Sequence, residues 1–150
     1  SISWAWRSKL NVGYVRVSSK KQSDDLDRQA QLMENYLISK GKPFKIIQSV
    51  SSGINYKNLQ LHTLIHMVVN KEVDTVYILY KDRLVRFGFE LLEFLFSEFG
   101  VSIEVVNQQF ESEQEELVTD LIQIITVFSA KLNGKRKNKL QNFKKDLEDD

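Results

Sequence analysis

A serine stands two residues after an arginine in Tyr14-Val15-Arg16-Val17-Ser18, and Asp82-Arg83-Leu84-Val85-Arg86 adds a carboxylate and two more arginines. Arginine grips phosphate oxygens through two parallel hydrogen bonds. Three arginines near one hydroxyl suit displacement at phosphorus, where charge spreads over the non-bridging oxygens and is met by fixed cations. Ser18 is the candidate nucleophile. The only two histidines, His62 and His66, fall on a predicted helix away from these segments, so a histidine relay is not the expected activation. Positive potential lowers the cost of ionising Ser18, and Asp82 is a group that moves a proton to or from a bridging oxygen.

These residues need elements to position them. Asn11 to Val17 is rich in β-branched and aromatic residues and predicts a strand ending at Ser18. Residues 18–23 are polar and loop-like. Asp24 and Asp25 open a helix carried by Leu26, Ala30, Met33 and Leu37, which Gly41 and Pro43 end. Phe44 to Val50 predicts a second strand, 51–58 a small polar loop, and Leu59 to Val69 a helix with an apolar face. Asp74 to Tyr80 predicts a third strand buried on both faces. A charged turn over 81–88, a helix over 90–99, a strand over 101–106 and a long helix from Glu113 to about Leu140 follow. The alternation predicts an α/β fold: a mostly parallel four- to five-stranded sheet with helices on both faces, followed by a long C-terminal helix. Ligands in such sheets bind beyond the carboxyl ends of the strands. Ser18, residues 51–58 and residues 82–86 are therefore expected to meet along one edge.

The length of 150 residues fits one domain with an appendage. No cysteine is present, which excludes disulfides and thiolate metal sites, and no apolar stretch approaches a membrane span. A cytoplasmic protein is the expectation. The net charge of +1 hides a sorted pattern. Glu111, Glu113, Glu115, Glu116 and Asp120 are followed by Lys131, Lys135, Arg136, Lys137, Lys139, Lys144 and Lys145, and then by an acidic end. The basic run suits DNA phosphates. His62 and His66 share a helical face but have no acid between them and no third ligand, so no metal and no cofactor are expected. The apolar residues Leu117 to Leu132 cover more of the last helix than one core contact needs, which points to a partner subunit.

Tyr14-Val15-Arg16-Val17-Ser18-Ser19 resembles the Y-x-R-V-S signature of serine recombinases, the resolvase and invertase group. Asp82-Arg83-Leu84-Val85-Arg86 resembles their D-R-L-x-R segment, and Ser52-Gly53 the small-Gly pair after the second strand. Gln22 falls where the family has a glutamine near its nucleophile. Lys81 to Glu90 and Phe128-Ser129-Ala130-Lys131-Leu132 look most like the serine transposases of small insertion sequences. Those carry a MerR-type winged helix ahead of the catalytic domain. With a chain opening at Ser1, this implies residues 1–10 as a linker or remnant, 11–112 as the catalytic domain, 113–145 as an oligomerisation and DNA-contacting helix, and 146–150 as an acidic tail.

The resemblance implies that Ser18 attacks a phosphodiester of double-stranded DNA, at a transposon end or crossover site, and holds the 5′ phosphate. Arg16, Arg83 and Arg86 then bind that phosphate, Asp82 supports proton transfer or orients an arginine, and Gln22 is an accessory phosphate contact. Lys131, Lys135 and Arg136 are expected along DNA. It also implies dimers, tetramers in the active complex, and no metal. One departure stands out. The family usually has another arginine five residues after the small-Gly pair, where this chain has Asn58 preceded by Lys57. Lys57 is the substitute cation, and the loop is expected to be disordered without substrate. The rival readings are a non-enzymatic receiver-like or oligomerisation module and a phosphatase using Ser18. Asp24 and Asp25 resemble a receiver's acidic pair, but capping accounts for them, and a receiver needs neither Arg16 nor the Asp82 segment.

Overall fold

The computed structural model describes residues 9–107 and 114–148, with side chains over 9–107 and 116–135. The expectations resting on residues 1–8, Glu111, Glu113, Asp149 and Asp150, and on the side chains of Arg136, Lys137, Lys139, Lys144 and Lys145, lie outside the described residues. The chain divides into two units, at 1–112 and 113–150.

In the first unit, four strands form one parallel sheet: β1 (Leu10–Val17), β2 (Phe44–Val50), β3 (Val73–Ile78) and β4 (Ser102–Val105), in the order β2-β1-β3-β4. The crossovers are α1 (Ser23–Ser39), α2 (Leu59–Val69) and α3 (Phe89–Glu98). The chain steps from β1 outward to β2 and then back across to β3. The winding reverses between β1 and β3, and a ligand crevice opens outside the carboxyl ends of such a pair.

Pleating sends alternate residues to opposite faces. Val12 and Tyr14 pack with α2 and α3 through Leu61, Leu64, Val68, Phe89 and Phe96. Val15 and Val17 face α1 through Leu26, Met33 and Leu37. Gly13 lies on the α1 side, where an added Cβ would come 2.4 Å from Met33 Cγ, so only glycine lets α1 sit this close. Met33 and Leu37 are fully buried there, each contributing about 1.5–3 kcal/mol of transfer free energy. The same period of two carries Arg16 to the face of Tyr14 and Ser18 to the next position. The spacing Tyr-x-Arg-x-Ser is thus the strand's own repeat.

Two elements depart from the sequence reading. Residues 18–23 are not all loop: Lys20–Gln22 is one turn of 3-10 helix leading straight into α1. The final helix, α4, runs from Gln114 to Glu148, past the expected ends near 140 and 145. No proline interrupts it and its one glycine, Gly134, is tolerated, so Asp146 to Glu148 extend a helix rather than form a tail. Within α4 every residue from Leu121 to Lys135 is exposed, including Leu121, Ile122, Ile125, Phe128 and Leu132. No helix among the described residues is long and apolar enough to cross a membrane.

Candidate active site

Three segments meet beyond β1 and β3, as expected. Arg16, wholly buried, is the hub. Its Nη1 donates to Ser18 Oγ at 3.2 Å and to the Ser51 carbonyl at 2.9 Å, and its Nη2 donates to the Asp82 carbonyl at 2.6 Å. One planar fork therefore ties the serine, the loop after β2 and the turn after β3. A cationic donor on Oγ stabilises negative charge developing there.

The turn after β3 is a 3-10 turn, Lys81–Arg83. It presents Asp82 and Arg86 four residues apart, with Arg86 Nη1 2.8 Å from Asp82 Oδ2. Arg83 goes inward instead. It is buried, Nη1 donates to the Arg16 carbonyl at 2.7 Å, Nε lies 3.5 Å from Asp82 Oδ1, and its guanidinium carbon sits 4.8 Å from the Tyr80 ring centroid. The reason lies in the sheet. The β1–β3 ladder stops at Tyr14↔Ile78, while β1 runs on, so the Arg16 backbone faces a strand that has turned away. Arg83 supplies the missing donor. Gln29, buried on α1, supplies an acceptor, its Oε1 lying 3.4 Å from the Arg16 amide, while its Nε2 donates to Asp25 Oδ2 at 3.1 Å.

Gln22 is placed beside Ser18. Its Oε1 accepts from the Ser18 and Ser19 amides at 3.0 and 3.2 Å, which orients the serine. Lys57 is exposed on the loop, and Lys131 and Lys135 are exposed on α4. His62 Nε2 lies 2.6 Å from the Tyr56 carbonyl. Among the described residues no group of three or more histidine or acidic side chains could hold a metal ion.

Asn58 is not a vacant place in the site. It is buried as the N-cap of α2, and with Tyr14 and Ser49 it forms a polar cluster that motif reading passed over. A signal for Gln29 existed, since a glutamine breaks the apolar face of Leu26, Ala30, Met33 and Leu37. Nothing in sequence spacing marks Ser49 as the partner of Asn58.

Burial raises the Tyr14 phenol above the ordinary tyrosine value, and the Ser49 contact, the Arg16 charge and the Asn58 contact pull it back in part. The neutral phenol is thus the folded form. Its contribution is fully present below about pH 10, the unfolded value, and is lost as pH rises toward the raised folded value. Tyr77 is shifted the same way. Tyr14→Phe is therefore expected to flatten, without removing, the loss of stability above pH 10, read as urea midpoint against pH.

A parallel α/β sheet with a serine beyond its first strand, gripped by an arginine of that strand and faced by a D-R-L-x-R turn, defines the serine recombinase catalytic domain. The chain belongs to the family described as Resolvase, N terminal domain, which it matches over residues 11–146. It is 41% identical over 138 residues to the protein L103 of Acanthamoeba polyphaga mimivirus, covering 90% of this chain and 70% of that one. Among solved structures, the C-terminal catalytic domain of ISC1926 TnpA, an IS607-like serine recombinase, superposes with a TM-score of 0.74 at 46% identity, over 81% of this chain and 84% of that chain. A serine recombinase from Sulfolobus solfataricus superposes with a TM-score of 0.78 at 41% identity, over 86% and 89%. The activity is accordingly that of a recombinase, in site-specific recombination.

Proposed function

We propose that Ser18 cleaves DNA by becoming covalently joined to it. Ser18 Oγ attacks the scissile phosphorus and loses its proton. The bond from phosphorus to the 3′ oxygen breaks, and that oxygen leaves as a 3′ hydroxyl. The 5′ phosphate remains on Ser18 as a phosphodiester of equal bond order. A 3′ hydroxyl from the partner duplex reverses the step, so rejoining needs no nucleotide and no metal. The observation that carries this reading is the single guanidinium of Arg16, which touches Ser18 Oγ while anchored on two other segments. Arg16, which touches Ser18 Oγ, and Arg86, which with it lies against Gly53, are the phosphate ligands. Asp82 orients Arg86, and Arg83 adds positive charge from beneath while holding the Arg16 backbone. Cations withdrawn from water are costly, and a bound phosphodiester offsets that cost.

The DNA is proposed to be the end of a mobile element, a reading supported by likeness to ISC1926 TnpA and to the first reading frame of transposon ISC1904 from Sulfolobus solfataricus P2, the latter 40% identical. Incubating the protein with such DNA and denaturing the mixture tests the reading. A protein–DNA adduct bearing the 5′-phosphate side of the break is expected. Intact DNA, or breaks with no attached protein, would overturn it.

The exposed apolar residues of α4 are proposed to pair with a second copy, placing Lys131 and Lys135 along DNA phosphates. Ile125→Glu with Phe128→Glu, at positions 55% and 63% exposed, is expected to lower the assembly mass in sedimentation. An unchanged mass would remove α4 from the interface.

A further inference from the structure

We infer that Asn58 is a positioning residue that locks the loop of residues 51–58 over the phosphate-binding arginines before DNA arrives. The inference rests on the recombinase reading of the site. Asn58 Nδ2 donates to Ser49 Oγ at 2.7 Å and to Tyr14 Oη at 3.1 Å, while Oδ1 accepts from the Gln60 amide at 2.9 Å. The Gln60 N–H fixes the orientation, because a flipped amide would set donor against donor. One buried side chain therefore joins β1, β2 and the first turn of α2. Arginine has no acceptor and could not make the bond to Gln60. A capping asparagine and a phosphate-gripping arginine are alternatives at this position.

The lock is useful because of what the loop touches. Its start is fixed by the Ser51 amide on the Val17 carbonyl at 2.9 Å and by Arg16 on the Ser51 carbonyl. Its middle accepts the Arg86 amide on the Gly53 carbonyl at 2.8 Å. A Cβ on Gly53 would lie 3.1 Å from Arg16 Nη2 and 3.2 Å from the Arg86 backbone nitrogen, so the loop rests directly on both arginines. Tyr56 Oη donates to the Phe87 carbonyl at 3.0 Å on the far side. With Asn58 holding the loop's exit, Arg16 and Arg86 are set in place without a substrate, where a disordered loop would leave them to be ordered on binding. This is how the site works without an arginine from the loop.

Three variants of the full chain test this: Asn58→Ser, Asn58→Arg and Tyr14→Phe. The readouts are hydrogen exchange of the Asn55 and Arg86 amides without DNA, and the rate of adduct formation at saturating DNA. Serine still caps α2 about as well as asparagine but is too short to bridge Tyr14 and Ser49. If Asn58 positions the loop, Asn58→Ser speeds exchange at these amides about tenfold and slows adduct formation about tenfold, alongside a urea midpoint lowered by the loss of the amide's bonds to Tyr14 and Ser49. Tyr14→Phe, which keeps the ring, moves both readouts the same way by less. Asn58→Arg is slower than wild type. Wild-type exchange and rate in Asn58→Ser would overturn the inference, as would a faster Asn58→Arg. If wild type itself forms no adduct, the recombinase reading fails, and exchange in Asn58→Ser still decides whether the lock exists.

Discussion

Alanine at Ser18 is expected to abolish the covalent adduct, lowering its rate of formation by about four orders of magnitude or more, as loss of a nucleophile does elsewhere. Folding and DNA binding are expected to survive. Ser18 is only half-buried, and its hydroxyl accepts one bond from Arg16, whose same nitrogen keeps the Ser51 carbonyl. The loss of stability is therefore about 1 kcal/mol or less. A denaturing gel with DNA labelled on either side of the break separates the outcomes. Adduct lost with binding retained supports Ser18 as the attacking group. Adduct at the wild-type level in Ser18→Ala sinks it, because alanine at 18 leaves no oxygen there to attack phosphorus.

Much of this site was legible because it lies on regular elements. A strand's period of two fixed the common face of Tyr14, Arg16 and Ser18, and the α/β alternation fixed which ends of β1, β2 and β3 meet. What escaped was everything set by where one strand stops against its neighbour. The β1–β3 ladder ends at Tyr14, and only that local parting turns Arg83 inward and makes Gln29 a partner for the Arg16 backbone. By type and spacing Arg83 and Arg86 are equivalent. In three dimensions one lies under the site and the other faces it across Asp82.

The loop after β2 shows the same limit from the other side. Comparison by position marked Asn58 as a missing arginine and Lys57 as its substitute. The backbone gives the position another meaning, since it begins α2, whose first amides need an acceptor. Lys57, exposed one residue earlier, carries no such duty. A strand or helix interior can be read from periodicity, whereas a cap that also bridges two strands is visible only once the strands are aligned.

The second large effect is expected at Arg16, and it separates charge from geometry. Arg16→Lys keeps one positive charge in the same place. It loses the planar fork, which reaches Ser18 Oγ and Ser51 O from one nitrogen and Asp82 O from the other. A single ammonium cannot span these positions, so at least one part-buried carbonyl loses its charged donor, at about 1–2 kcal/mol. Ammonium is also more strongly hydrated than guanidinium and resists burial more. The variant is expected to lose about 2 kcal/mol or more of stability by urea denaturation. Its adduct formation should fall about a thousandfold at saturating DNA, the scale seen when a preorganised donor is withdrawn from a developing charge. Both losses share one cause, so they should appear together. A lysine variant that unfolds at the wild-type midpoint and forms adduct within a few-fold of the wild-type rate would mean that any cation suffices at this place. The fork from β1 to the two neighbouring segments would then have no part in aligning Ser18 with its phosphate.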